Sequence, residues 1–242
     1  MNVKVLGKYG PYPQSGGATS AYLLTSDSSA VAFELGSGAF VRLKNSVDFS
    51  RLDAVIISHF HFDHCSDIGV LSYYLLRLAS SGKVTLPIKL YCPESDSPLY
   101  LAFKNMKAFD VVTVRDGQEV RIKDLLFKFY SVNHPISCLG FTACDGTKTF
   151  AYGGDSNECE NIGKLVEKAD LAILDGGFLE KDWNDKKPHL SVKKCAEIAE
   201  RYAVKTIISH INPEYDERDI LGEATAICDR CVIAKEGETY EV

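Results

Sequence analysis

The sequence predicts an α/β fold of two sheets sandwiched between helices, on three observations. Two short apolar runs rich in β-branched residues, 52–58 and 206–209, each deliver the chain directly into a histidine, His59 and His210. After the first of them, Ile68, Leu71, Leu75 and Leu78 recur at helical spacing, which marks a helix packed on a sheet. Around these landmarks, strand-like runs alternate with turn dipeptides. Folds of this kind place their chemistry at the carboxyl ends of buried strands. Two such strands entering one cleft call for two sheets with helices outside them.

Residues 3–7 read as a first strand, followed by the loop signals Gly10-Pro11-Tyr12-Pro13 and Ser15-Gly16-Gly17. Residues 20–25 and 30–35, separated by Ser26-Asp27-Ser28-Ser29, read as a hairpin that ends at Gly36-Ser37-Gly38. Further strands are expected over 89–91, 110–114, 126–132 and 149–152, broken by turns such as Asp116-Gly117 and Asp145-Gly146. The run 171–174 ends at Asp175-Gly176-Gly177, and a helix over 192–202 precedes the strand that leads to His210. No internal repeat, low-complexity tract or linker interrupts this order, so a single domain over 1–242 is expected.

Composition excludes several classes. A chain that is 45% hydrophobic and 25% charged is neither disordered nor a membrane protein by composition, and no apolar run approaches a membrane span. The net charge of -6 disfavours a broad basic surface for polymeric nucleic acid, although it leaves room for a local basic pocket. Residues 1–7 lack the pattern of a secretion signal. The eight cysteines are then expected as reduced thiols in the cytoplasm.

The chemistry is concentrated in His59-Phe60-His61-Phe62-Asp63-His64. Alternate side chains of an extended segment point the same way, so His59 and His61 can grip one cation while the following turn offers Asp63 and His64 to a second. Imidazole and carboxylate donors suit zinc and related first-row ions. Four potential ligands within six residues are far more specific than an isolated histidine. His134, His189 and His210, each beside a proline or at the end of a strand-like run, are individually as compatible with structural roles. Asp155 ends a strand behind Gly153 and Gly154, where a sharp turn brings a carboxylate close to bound ions or lets it satisfy its own backbone.

Taken in this order, these residues resemble the metallo-β-lactamase superfamily, and within it the ribonuclease Z-like branch that includes small phosphodiesterases. The stretch from Gly140-Phe141 to Asp155-Ser156 is also similar to that branch. The resemblance implies an αββα four-layer sandwich. It implies that His59, His61 and His134 hold one metal, that Asp63, His64 and His210 hold the other, and that Asp155 bridges them. His61 stands where the diiron flavoprotein relatives carry Glu, and Asp155 where the antibiotic-degrading members place Cys; redox chemistry and β-lactam cleavage are disfavoured accordingly. His189 looks like the additional histidine that phosphodiesterase members use near the scissile phosphate, with a helix-start histidine as the structural alternative.

Three features depart from the pattern or lie outside it. Glu34-Leu35-Gly36 replaces the Asp-x-Gly of many relatives on an early strand, which bears on hydrogen bonding to a ligand. Only 20 residues separate His134 from Asp155, too few for the arm with which ribonuclease Z enzymes clasp transfer RNA. Cys228 and Cys231 form a CxxC without a second pair, and buried or reversible thiols fit them better than a zinc ribbon. Trp183, Phe178 and Tyr215 are expected either to line a pocket by stacking or to anchor loops.

The expected function is hydrolysis of a small phosphodiester by hydroxide activated between two divalent cations, zinc foremost, with manganese or iron as alternatives. Asp63 would orient the nucleophile or take its proton, and His189 would serve the leaving oxygen. Thioester, ester or lactone hydrolysis on the same metals is the alternative, and a metal-binding protein without catalysis is a third reading. The expected partners are a small-molecule substrate and, from the branch resemblance, a second copy of the chain.

Overall fold

Alternation along the strands sorts their side chains into separate cores, and this alternation sets the layers. In the computed structural model, which describes residues 1–242, the first sheet is built from β1 (Asn2–Gly7), β2 (Ala21–Thr25), β3 (Ala30–Leu35), β4 (Ala54–Ile56), β5 (Ile88–Pro93) and β6 (Phe109–Val114). The second is built from β7 (Glu119–Ile122), β8 (Leu125–Ser131), β9 (Leu139–Cys144), β10 (Thr149–Tyr152), β11 (Leu171–Asp175), β12 (Lys205–Ser209) and β13 (Cys231–Ile233). The last strand, β14 (Thr239–Glu241), returns to pair with β1. The orders are β14-β1-β2-β3-β4-β5-β6 and β13-β12-β11-β10-β9-β8-β7. Each sheet begins antiparallel and becomes parallel, at the β3–β4 pair in one and at the β10–β11 pair in the other.

Tyr22, Leu24, Val31, Phe33 and Ile56 face inward from the first sheet and meet Phe127, Phe129, Phe141, Phe150 and Tyr152 of the second. Their neighbours Leu23, Ala32 and Val55 face outward and are covered by residues of α1 (Ala39–Lys44), of the single turn α2 (Phe62–Cys65), of α3 (Ile68–Ser80) and of α4 (Pro98–Lys104). On the other side, Ala172, Leu174 and Ile208 pack against α5 (Glu160–Val166), α6 (Val192–Tyr202) and α7 (Glu217–Thr225). The layering is the expected helix–sheet–sheet–helix sandwich. No helix is long and apolar enough to cross a membrane.

Local signals account for the helices that the sequence announces. In α6, Val192, Cys195, Ala196 and Ala199 share the buried face. The Ser191 hydroxyl caps its start by accepting from the Lys194 N–H at 3.1 Å, and Ala203 ends it in the left-handed region. Of the expected strand over 52–58, Ala54–Ile56 is regular; backbone bonds reach one residue further on each side, from Asp53 N–H to the Ala30 carbonyl and from Ile57 N–H to the Tyr91 carbonyl, and beyond them Glu34 accepts the Ser58 N–H at 2.9 Å. Cys228 and Cys231 are buried, and burial pushes the Cys231 thiol up to about 12, in keeping with buried thiols.

The inter-sheet core centres on Phe141, whose ring lies 5.2 Å from Phe33, edge to face, and 5.5 Å from both Phe127 and Tyr152. Phe141→Ala is expected to destabilise the chain by about 3–5 kcal/mol, read as a lower urea midpoint at unchanged m value; an unchanged midpoint would remove this ring from the centre of the core.

Candidate metal centre

The carboxyl ends of β3, β4, β10, β11 and β12 open onto one edge of the sandwich. Glu34 is the next-to-last residue of β3, His59 lies three residues beyond β4, Asp155 three beyond β10, Asp175 at the end of β11 and His210 one beyond β12. The parallel register, Phe33 beside Ile56 and Asp175 beside Ser209, keeps these ends level. Two cross-sheet bonds close the edge: the Tyr22 and Ser209 hydroxyls lie 2.7 Å apart, and the Leu139 N–H donates to the Ser58 carbonyl at 3.0 Å.

All seven candidate ligands converge there, in two sets. His59 Nε2 lies 3.0 Å from His61 Nδ1, which lies 3.2 Å from His134 Nε2. His61 is still extended, with φ -73° and ψ 148°, and α2 starts behind it, so Asp63 and His64 swing toward the second set. There His64 Nε2 and His210 Nε2 approach Asp155 Oδ2 at 3.1 and 3.2 Å, and Asp63 Oδ2 at 3.5 and 3.1 Å. Asp155 Oδ2 also lies 3.7 Å from His59 Nε2 and thereby joins the sets.

The spacing fits bound cations. Nitrogen and oxygen donors about 2.0–2.1 Å from a tetrahedral ion lie roughly 3.3 Å apart, which is the range of the distances above. His64 gives a second sign: both ring nitrogens are buried and neither has a well-formed hydrogen bond. A buried imidazole left this way is costly, and a cation between Nε2, Asp63 and Asp155 would satisfy it.

Four of the five candidate ligand rings, all but His61, are steered through the other nitrogen. His59 Nδ1 lies 2.9 Å from the Ser58 hydroxyl, and His134 Nδ1 donates to the Pro188 carbonyl at 3.3 Å. Glu34 Oε2 faces His64 Nδ1 at 3.3 Å, off the best angle for a hydrogen bond, and Asp175 Oδ1 faces His210 Nδ1 at 3.4 Å. Such contacts fix ring orientation and present the remaining nitrogen to a metal. Burial, reinforced by neighbouring imidazoles, drives His59 well below its ordinary pKa, and burial lowers His61 and His134 as well. The first set is therefore neutral, as ligation requires. Burial opposes charge on His64 too, but Asp155 and Glu34 outweigh it and raise this ring to about 10 in the metal-free chain. His210 is raised in the same way by Asp155 and Asp175. Asp155 is held well below the carboxylate range, its desolvation outweighed by His210, His64 and His59.

Close approaches of the backbone shape the pocket. A Cβ on Gly10 would stand 2.1 Å from His210 Nε2, and one on Gly36 would stand 1.9 Å from the Asp63 carbonyl. Glu34 and His210 themselves hold positive φ, 53° and 55°, which non-glycine residues adopt at a cost.

His189 belongs to neither set but stands beside both. Its Nδ1 donates to Asp175 Oδ2 at 2.6 Å, which leaves Nε2 without a protein partner, and its ring stacks on His210 at 4.8 Å. Asp175, which the sequence marks only as an acid at the end of an apolar run before Gly-Gly, steers both His189 and His210. Glu34 and Ser58 act similarly on His64 and His59. Among the aromatics, Trp183 Nε1 donates to the His189 carbonyl at 2.9 Å and the Tyr215 hydroxyl donates to Asp182 at 2.9 Å, so both anchor loops. Phe178 packs 5.9 Å from the His189 ring.

Comparison with known proteins bears on the fold and the family. The chain is 28% identical over 246 residues, covering all of both chains, to probable metallo-hydrolase YhfI of Bacillus subtilis. The crystal structure of that metallo-β-lactamase fold protein superposes with a TM-score of 0.93 over 99% of this chain and 98% of that one. Human tRNase Z, short form, matches with a TM-score of 0.76 at 18% identity over 100% and 99% of the two chains. A diphosphatase of the PhnP family matches with a TM-score of 0.75 at 17% identity over 100% and 97%. Residues 36–211 match the model of the β-lactamase superfamily domain, and the chain belongs to that family, with the metallo-β-lactamase fold.

Proposed function

We propose that this chain is a two-metal phosphodiesterase acting on a small substrate. The observation that carries the reading is the Asp175–His189 pair beside the two ligand sets, with Nε2 of His189 free. Alkoxide leaving groups of phosphodiesters need a proton, and a carboxylate-oriented histidine is suited to deliver one. In this reading His59, His61 and His134 hold one divalent cation, Asp63, His64 and His210 hold the other, and Asp155 serves both. The nitrogen and oxygen donors suit zinc. When bound, such a pair lowers the pKa of water and offsets charge on phosphoryl oxygens.

The protein's own groups divide the remaining work. Asp63, at the edge of the second set, orients the attacking water and accepts its proton. His189 hands a proton from Nε2 to the departing oxygen while Asp175 holds the ring in place. The hairpin of β9 and β10 fills the interval between His134 and Asp155 and stays within the sheet, so no arm extends from it to hold a polynucleotide. This favours a small diester over RNA.

Elemental analysis of protein purified without added metal, together with hydrolysis of bis(p-nitrophenyl) phosphate and of a thioester before and after chelation, tests the reading. About two metals per chain with chelator-sensitive diester cleavage is the expected result; thioester turnover alone would replace it with acyl chemistry. His189→Ala should retain both metals and lose roughly 10²–10⁴-fold in turnover of an alkyl diester. The loss should be smaller for p-nitrophenolate, which departs without a proton, and equal losses would exclude the proton-donor role.

Metal binding should also release protons, because Asp155 with Glu34 raises the pKa of His64 and Asp155 with Asp175 raises that of His210, which favours protonated rings that must lose their protons to act as ligands. Adding zinc to metal-free protein in weakly buffered solution near neutral pH should acidify it by roughly two protons per chain, and affinity should fall as pH decreases. No acidification would place the metals elsewhere. Gly10→Ala should drive His210 off its position, at a stability cost of about 1–3 kcal/mol, and empty the second metal site. Two retained metals in this variant would contradict the close approach.

A further inference from the structure

The centre by itself has little surplus charge with which to attract an anion. Four buried carboxyl groups surround it, Glu34, Asp63, Asp155 and Asp175, so two divalent cations would bring it close to neutrality. Positive charge for a polyanionic substrate has to come from outside, and one segment at the cleft supplies it. Residues 181–194 hold five lysines against two aspartates, in a chain whose net charge is -6. Lys193 is paired with Glu180, and Lys194 with Glu158 and Glu197, while Lys181, Lys186 and Lys187 form no ion pair.

Of these three, Lys187 is the one held against the site. It is half-buried, with Nζ 4.8 Å from the centre of the Phe178 ring, the ring that packs on His189. Its backbone is fixed from both sides. Asn157, buried two residues after Asp155, donates from Nδ2 to the Lys187 carbonyl at 2.7 Å and to the Asp185 carbonyl at 3.1 Å. The next residue, Pro188, accepts from the candidate ligand His134. A lysine normally loses much rotamer and loop freedom when it binds an anion. Here the loop is ordered in advance by its bonds to Asn157 and to the candidate ligand His134, and the ammonium is held at the aromatic face.

We propose that Lys187 forms a second anion subsite, which holds a phosphate group of the substrate other than the scissile diester. Lys186 strengthens the local field. The substrate class is then a small phosphodiester bearing an additional phosphate, an assignment that rests on the phosphodiesterase reading for the reaction but not for the subsite.

Calorimetric titration of the metal-containing protein with thymidine 5′-monophosphate and with thymidine 3′,5′-bisphosphate tests it without turnover. The bisphosphate should bind about tenfold more tightly, as one charge-assisted contact provides. Lys187→Met, which keeps an unbranched stem over Phe178, should bind the two nucleotides alike. Lys205→Met removes an exposed charge at the far end of β12 and should keep the tenfold preference. Equal binding by the unaltered protein, a preference that survives in Lys187→Met, or one lost equally in Lys205→Met would overturn the subsite. A preference that depends on Lys187 in a protein that hydrolyses no diester would leave the subsite standing and remove the phosphodiesterase reading.

Discussion

The arrangement turns on Asp155, a fully desolvated carboxylate placed where two sets of imidazoles meet. Such a group is tolerated only with strong compensation, since burying an unpaired charge costs far more than a lost hydrogen bond. His59, His64 and His210 supply that compensation, and each is held in turn by Ser58, Glu34 or Asp175. Cations and protons are alternative ways of balancing the same cluster. On the proposed reading, metal loading at this site would be coupled to proton loss.

Holding this cluster at one edge explains much of the local backbone. Level strand ends in two sheets bring residues far apart in sequence within a few ångströms, and the glycines at 10 and 36 allow the chain to pass where a side chain would collide with His210 or Asp63. The positive φ of Glu34 and His210 is borne by residues whose side chains the site needs. The stiffness for this comes from the aromatic layer behind, in which Phe33, Phe141 and Tyr152 interlock between the sheets.

Much of this was legible in the residues. Strong periodicity marked α3 and α6, β-branched runs marked the central strands, and the density of donors in His59–His64 pointed to metal chemistry before any fold was known. The short helices α4, α5 and α7 and the strands β7, β9, β13 and β14 were not identified, because segments of three to nine residues carry little period of their own and form by packing on neighbours. Leu52–Ser58 reads as one strand and is regular over Ala54–Ile56, with the Ser58 N–H taken by Glu34, a side chain from a neighbouring strand.

The sequence by itself determined which side chains had the chemistry to bind metal, because ligand identity and close spacing are local properties of the chain. It also determined the sandwich layering, because alternation along strands sorts apolar residues to opposite faces. Only the tertiary structure decided how the later residues were used. His134, Asp155, His189 and His210 each looked ordinary alone, and no local signal said that Asp175 would orient His189, which of its two readings Trp183 would take, or that Asn157 and Phe178 would hold Lys187 beside the cleft. The reason is that these are contacts between strand ends and loops that parallel pairing makes adjacent, and adjacency across separate segments is a property of the packed molecule.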